Sequence, residues 1–162
     1  MAIEYFLKFG SLQGESQAAK HKDEIEVKSW SFGASNPTSI VGSGFSTGKV
    51  SLSDITISKL VDKSSPKLLE LLFTGKHVDK ATLTCSKQTG GKTPEDYLTI
   101  KLETVYVSSY QTGGSSGDDL GSESISISYG KINYDYKSQD KDGTLKSAGN
   151  IEFDLFARQQ TA

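Results

Sequence analysis

The chain is poor in the residues that mark most specialised chemistries. A single cysteine, Cys85, stands among 162 residues, which excludes an intrachain disulfide framework and any cysteine-rich zinc module. The two histidines, His21 and His77, lack the local spacing of a metal-ligand pair. Arg158 is the only arginine among 18 basic side chains, a poor start for reading phosphate or guanine. Those 18 face 20 acidic residues, for a net charge of −2. No basic face is left for nucleic acid or a membrane surface. No apolar run approaches the ~18 residues of a membrane span, so membrane insertion is not expected. The opening Met1-Ala2-Ile3-Glu4-Tyr5-Phe6 has no basic n-region and carries an acid where a signal peptide is apolar. The expectation is a cytoplasmic start and, if the protein leaves, a route that reads no cleavable signal.

What the chain does have is alternation. Hydrophobic residues make up only 35%, low beside the usual ~45–50% apolar figure, yet they recur with period two, which argues against disorder. Ile3, Tyr5, Leu7 and Phe9 predict a half-buried strand, and Ile25 to Phe32 predicts a second. In that second strand Ile25 and Val27 share one face, whereas Trp30 and Phe32 share the other. The same change of face follows Leu102, where Val105 and Val107 take over, and Tyr129, where Ile132, Tyr134 and Tyr136 take over beyond Gly130. Strands that switch faces bulge or bend, as in barrels or in sheets that share strands at corners. The fold class expected is mainly β: a β-barrel of two twisted antiparallel sheets in one domain over residues 1–162. Further strands are expected at about 78–87, 97–110, 123–137 and 150–158.

One helix interrupts the strands, at about 65–75. Ser65 is placed as N-cap and Pro66 at the first position, Leu68, Leu69, Leu71 and Leu72 form the apolar stripe, and Gly75 ends it. Two stretches read as long loops, 34–48 and 111–122. The first is an extended Gly/Ser/Thr-rich segment carrying Ile40, Val41 and Phe45, apolar residues that need a surface to cover, on this chain or another.

Catalytic motifs do not survive their context. Gly44-Phe45-Ser46-Thr47-Gly48 and Gly113-Gly114-Ser115-Ser116-Gly117 both match G-x-S-x-G, but neither serine precedes a helix as a nucleophile elbow requires. Ser86 to Thr93 departs from a phosphate-binding loop at its first glycine and leads into a strand instead of a helix. Cys85 falls in an alternating strand as a buried thiol. Asp118-Asp119 reads as an exposed turn. Neither an enzyme, a cofactor nor a metal is expected.

The order of segments nevertheless carries a resemblance. Gly14-Glu15-Ser16, His21, Ile25-Glu26-Val27 and Trp30-Ser31-Phe32-Gly33 are followed by Gly48-Lys49-Val50, Lys59 to Lys63, Ser65-Pro66-Lys67-Leu68 and Gly75-Lys76-His77. Tyr97-Leu98, Val107-Ser108-Ser109-Tyr110, Gly113-Gly114, Tyr134-Asp135-Tyr136 and Asp142-Gly143 complete the series. The set resembles the haemolysin-coregulated protein family, the inner tube of bacterial type VI secretion, over essentially the whole chain. Phe32 stands where many relatives have a second tryptophan.

That resemblance implies a barrel protomer, six of which close into a ring, with rings stacking into a tube inside a contractile sheath and under a spike and baseplate. It implies small effector proteins as cargo in the lumen and release from the cell through the apparatus. The loop after the second strand would reach neighbouring subunits, making Ile40, Val41, Phe45 and Lys49 candidate interface residues. Ser29 and Ser31, opposite the aromatic pair, become candidates for facing the lumen and its cargo. The alternative is a monomeric β-barrel that binds a small ligand or a protein partner. A third class, a loop-serine hydrolase, would show itself by fluorophosphonate labelling at Ser46 or Ser115.

Overall fold

The alternating segments become long antiparallel strands because each can bury one face. A computed structural model describes residues 2–160 apart from 43, 92, 118 and 119; of residues 41, 46 and 47 it describes the backbone alone. Strand β1 (Ile3–Phe9) pairs with β2 (Ile25–Val27) on one side and β9 (Val78–Lys87) on the other. β9 continues to β10 (Glu95–Gly113) and β10 to β11 (Ser122–Gln139). β11 then pairs with β8 (Ile55–Leu60), and β8 with β3 (Ser29–Ser31). Only Lys28 separates β2 from β3, and its N–H donates to the Ser58 carbonyl at 2.7 Å. The segment 25–31 thus leaves β1 and passes to β8, so the pairings run in a circuit joined at Lys28.

The core lies within that circuit. Leu7, Phe9, Ile25, Val27, Ile55, Ile57, Leu83, Ile100, Leu102, Ile125 and Ile127 all belong to it. The changes of face fall where the sequence places them. Buried positions in β10 run Leu98, Ile100, Leu102 and then Val105 and Val107. The residue spanned is Thr104, whose φ of 53° bends the strand without shifting its register. Across the ladder Glu103 meets Lys131 and Val105 meets Tyr129, so Thr104 lies opposite Gly130. The ring of Phe156 lies over Gly130, in the space a Cβ there would take.

β11 serves two neighbours along its length. Its first half pairs with β8, and residues 131–139 pair with β12 (Leu145–Asp154), which holds the short β13 (Gln159–Gln160) at its end. The strand expected at 150–158 therefore begins at Leu145, five residues early, and breaks at Asp154.

The helix α1 (Ser65–Thr74) forms where expected and packs on β10, with Leu68 fully buried and Leu71 and Leu72 partly so. Gly75 ends it at φ 69°, its N–H donating to the Leu71 carbonyl at 3.0 Å. The N-cap is Ser64, not Ser65. The Ser65 hydroxyl is drawn instead into the buried cluster described below.

Two expectations about loops change. Residues 34–48 are not simply an extended loop. β4 (Ala34–Ser35) pairs with β7 (Ser51–Leu52), and β5 (Thr38–Val41) pairs with β6 (Gly44–Thr47) as a hairpin turning at Gly42, φ 61°. Together they form an arm whose two small ladders are separate from the nine-stranded sheet. The other expected loop shrinks, because β10 runs to Gly113 and β11 starts at Ser122.

Candidate functional site

The arm brings two sequence-selected residues together. Ile40 and Phe45 are direct cross-strand partners in its hairpin, and both stay bare, at 70% and 79% exposure. An apolar pair directly across a ladder is worth ~0.2–1 kcal/mol to the hairpin. It still leaves most of both side chains in water. Val41 opposes Gly44 along the backbone; its side chain lies outside the described residues. Lys49 is exposed at the root of the arm, next to Gly48, whose N–H closes the root by donating to the Pro37 carbonyl at 2.6 Å.

Beside that root runs an apolar groove of about 520 Å³. Val50 and Leu52 wall one side, and the cross-strand pairs Ile132–Phe153 and Tyr134–Ile151 wall the other. Ile151 is 49% exposed. No motif in the sequence announces this groove, because it forms only when β12 registers against β11.

Ser29 and Ser31 point outward from β3 on either side of half-buried Trp30. Register places them opposite Ser58 and Thr56 on β8, and those in turn face Ser124 and Ser126 on β11. The Thr56 and Ser126 hydroxyls are 3.3 Å apart. The two selected serines thus belong to an uncharged hydroxyl face spanning three strands. Its signal in the sequence was the run Ser122, Ser124, Ser126, Ser128, alternating with Glu123, Ile125 and Ile127.

Behind that face lies an ionic cluster the sequence reading missed. Lys59 is fully buried, and its ammonium donates to Glu123 Oε1 at 2.6 Å, Asp62 Oδ1 at 2.9 Å, the Ser65 hydroxyl at 3.2 Å and the Leu60 carbonyl at 3.1 Å. Ser65 donates to the same Glu123 oxygen at 2.6 Å. The other oxygen of Glu123 is buried without a protein partner. This cluster ties β8, β11 and the start of α1 together. Lys59 and Glu123 sit inside the fold, and Asp62 reaches the edge of a small surface pocket of about 190 Å³.

The residues tested for catalysis are dispersed. Ser46 lies in strand β6 with no helix after it, and Ser115 sits in the β10–β11 connection. The phosphate-loop near-match is the β9–β10 connection, with Lys92 outside the described residues. The Asp118-Asp119 pair likewise lies outside them. Burial pushes the Cys85 thiol up to about 11, the state of an inert packed cysteine. His77 is exposed, 3.7 Å from Asp79 Oδ1. Among the described residues no group of three His, Cys, Asp or Glu side chains is placed to hold a metal ion. Among the described residues no helix is long and apolar enough to cross a membrane.

Comparison with known proteins agrees with the order of segments. The family model described as type VI secretion system effector, Hcp, matches residues 6–136. Protein hcp1 of Pseudomonas aeruginosa is 39% identical over 160 residues, 98% of each chain. Among solved structures, a type six secretion system protein superposes with a TM-score of 0.92 at 29% identity, covering 99% of this chain and all of that one. Hcp1 from Salmonella typhimurium superposes with a TM-score of 0.78 at 28% identity, again over 99% of this chain and all of the other. Full-length sequence identity, the family match and the superposed fold lead to one conclusion: the chain belongs to the Hcp family of type VI secretion proteins.

Proposed function

We propose that the chain is a non-enzymatic structural subunit of the type VI inner tube, in which six copies close into a ring and rings stack. The observation that carries this is the arm. A two-stranded hairpin is marginal alone in water, and this one holds Ile40 and Phe45 bare on a segment that pairs only with itself among the described residues. Covering them with a neighbouring copy accounts for their placement. The exposed groove beside β12 is apolar, suits such a knob, and repeats on every copy. A knob and a distinct receiving groove make a heterologous contact, which closes into a ring or propagates along an axis.

The hydroxyl face around Ser29 and Ser31 is the proposed lumen lining. Hydroxyls without net charge offer weak, adaptable hydrogen bonds, suiting small effector proteins of varied sequence. The contractile sheath, spike and baseplate are the remaining proposed partners, with assembly in the cytoplasm and release through the apparatus. Light scattering coupled to size exclusion tests the reading on the unmodified chain. A molar mass near six protomers is expected. A monomer at every concentration overturns ring formation as an intrinsic property and favours a single-copy barrel that binds one partner.

A further inference from the structure

His21 is the one histidine buried against the sheet, and both of its ring nitrogens face carboxylates. Nδ1 lies 2.9 Å from Glu24 Oε2, and Nε2 lies 2.8 Å from Asp96 Oδ1, 75 positions away on β10. Its ring stacks on Phe6 of β1, centroids 4.5 Å apart and planes 11° from parallel. A neutral imidazole has one N–H and can donate to one of these carboxylates. Serving both takes the imidazolium.

Besides this link, the segment between β1 and β2 is held by Leu12 against the core and by hydrogen bonds of its own. The N–H groups of Gly14 and Ser16 donate to the Asp23 and Glu24 carbonyls at 2.7 and 3.1 Å. A Cβ on Gly14 would stand 2.3 Å from the Glu24 carbonyl oxygen, which requires glycine there. At the far side Glu15 accepts the Lys63 N–H at 3.1 Å. The turn at 17–19 forms one wall of a groove of about 530 Å³, whose other walls include Tyr5, Glu26 and Pro94.

We infer that His21 is a proton-dependent clamp that docks the 11–24 segment onto the start of β10 and thereby sets the shape of this groove. The charged groups facing the ring are Glu24 from its own segment and Asp96 from β10; β1 presents Phe6, and β9 presents Ser86 to Asp96 across the ladder. Lys20 and Lys22 flank the histidine and are exposed.

Burial disfavours the charged ring, but the hydrogen bonds and charges of Asp96 and Glu24 outweigh it and raise the group above its ordinary 6.5. A raised folded value means the clamp's stabilisation is fully present below 6.5 while the carboxylates are ionised. It is lost as pH rises through the folded value. Alkalinisation therefore releases the segment, and mild acid holds it shut. This device operates within one protomer and stands whether or not the chain forms rings.

The test is limited proteolysis by trypsin after Lys20 and Lys22, normalised to a reporter peptide, from pH 7 to 9, on the full chain and on Asp96→Asn. Asparagine keeps the shape and removes the charge. The unmodified chain should be cut at least about tenfold more slowly at pH 7, in line with a lost charge-assisted hydrogen bond, with the gap closing towards pH 9. Equal rates at pH 7 overturn the clamp. Should Asp96→Asn fail to fold, nitrogen-15 NMR of the unmodified chain decides instead: a ring still mainly protonated on both nitrogens at pH 6.5 supports the clamp, and a mainly neutral ring there overturns it.

Discussion

Two pairs of apolar residues sit directly across antiparallel ladders, with opposite fates. Ile57 and Ile125 face each other between β8 and β11 and are 1% and 0% exposed, whereas Ile40 and Phe45 face each other in the arm at 70% and 79%. Local pairing is equivalent, so pairing does not decide burial. The difference lies in what is stacked above. The first pair looks into the circuit, against side chains from several other strands, while the arm has only its own hairpin. Apolar surface buried is what stabilises, at about 25 cal/mol per Å². Ile57 and Ile125 therefore contribute to the fold, whereas Ile40 and Phe45 contribute little to it.

The sharpest break in this contrast lies beside the buried pair, at Glu123, two residues from Ile125. Removing one member of a buried ion pair strands the other, at roughly 3–5 kcal/mol. Glu123→Ala is expected at the low end of that range in urea unfolding, since Lys59 loses its fully buried partner and keeps only Asp62. The paired change Lys59→Met with Glu123→Leu should recover most of the loss, because two apolar residues carry no stranded charge. A double variant as unstable as the single one would show that the cluster holds α1 through the geometry of Ser65 and Asp62 as well.

Next in size is the buried pair itself. Ile125→Ala removes a fully buried side chain and should cost about 2–5 kcal/mol by chemical denaturation, depending on how far the circuit relaxes. Ring mass measured well below the unfolding midpoint should be unchanged. Loss of assembly without loss of stability would reverse the roles assigned to the two pairs.

These same regions show what could be read from the residues in order. Strands β1, β9, β10 and β11 were legible because apolar residues alternate along each, with a single change of face in β10 and in β11, the latter at Gly130. β8 was not legible. Its inward positions are Ile55, Ile57 and Lys59, and a lysine at the third breaks the apolar pattern that defines a half-buried strand. Only Glu123, 64 positions later, makes that lysine an interior residue. Ser65 misled for the same reason: its spacing suits an N-cap, but the buried ion pair takes its hydroxyl. In the arm the apolar residues were recognised as needing cover, while the hairpin was hidden by its serines, threonines and glycines. The hydroxyl face and the β12 groove depend on register between distant strands, which no local pattern encodes.

The proposed lumen lining should respond more weakly still. Ser31→Asp lies on an exposed position, so its stability change is expected within about 0.5 kcal/mol, with ring mass retained. Its effect should appear in co-purification of effector proteins, where a charge would discriminate among cargoes that the uncharged face accepts alike. Unchanged cargo recovery across acidic and basic effectors would remove Ser31 from the lining.

The smallest effect on the fold is expected at the arm, and there the contrast is most exposed to test. Phe45→Asp replaces a side chain already in water, on a two-stranded ladder that does not pair with the main sheet. The unfolding midpoint should move by less than the equivalent of about 0.5 kcal/mol. Assembly should behave otherwise. If Phe45 is buried against a neighbouring copy, the substitution places a carboxylate in an apolar contact, and a buried unpaired charge is among the costliest changes an interface can take. The molar mass by light scattering is therefore expected to fall from the ring toward the protomer. Ile40→Asp on the facing strand should do the same, and combining the two should add little once the contact is gone. A ring that persists through both changes, with the fold intact, would mean the arm's apolar pair is not at the joint, and the exposed edge of β12 would then be the surface to test.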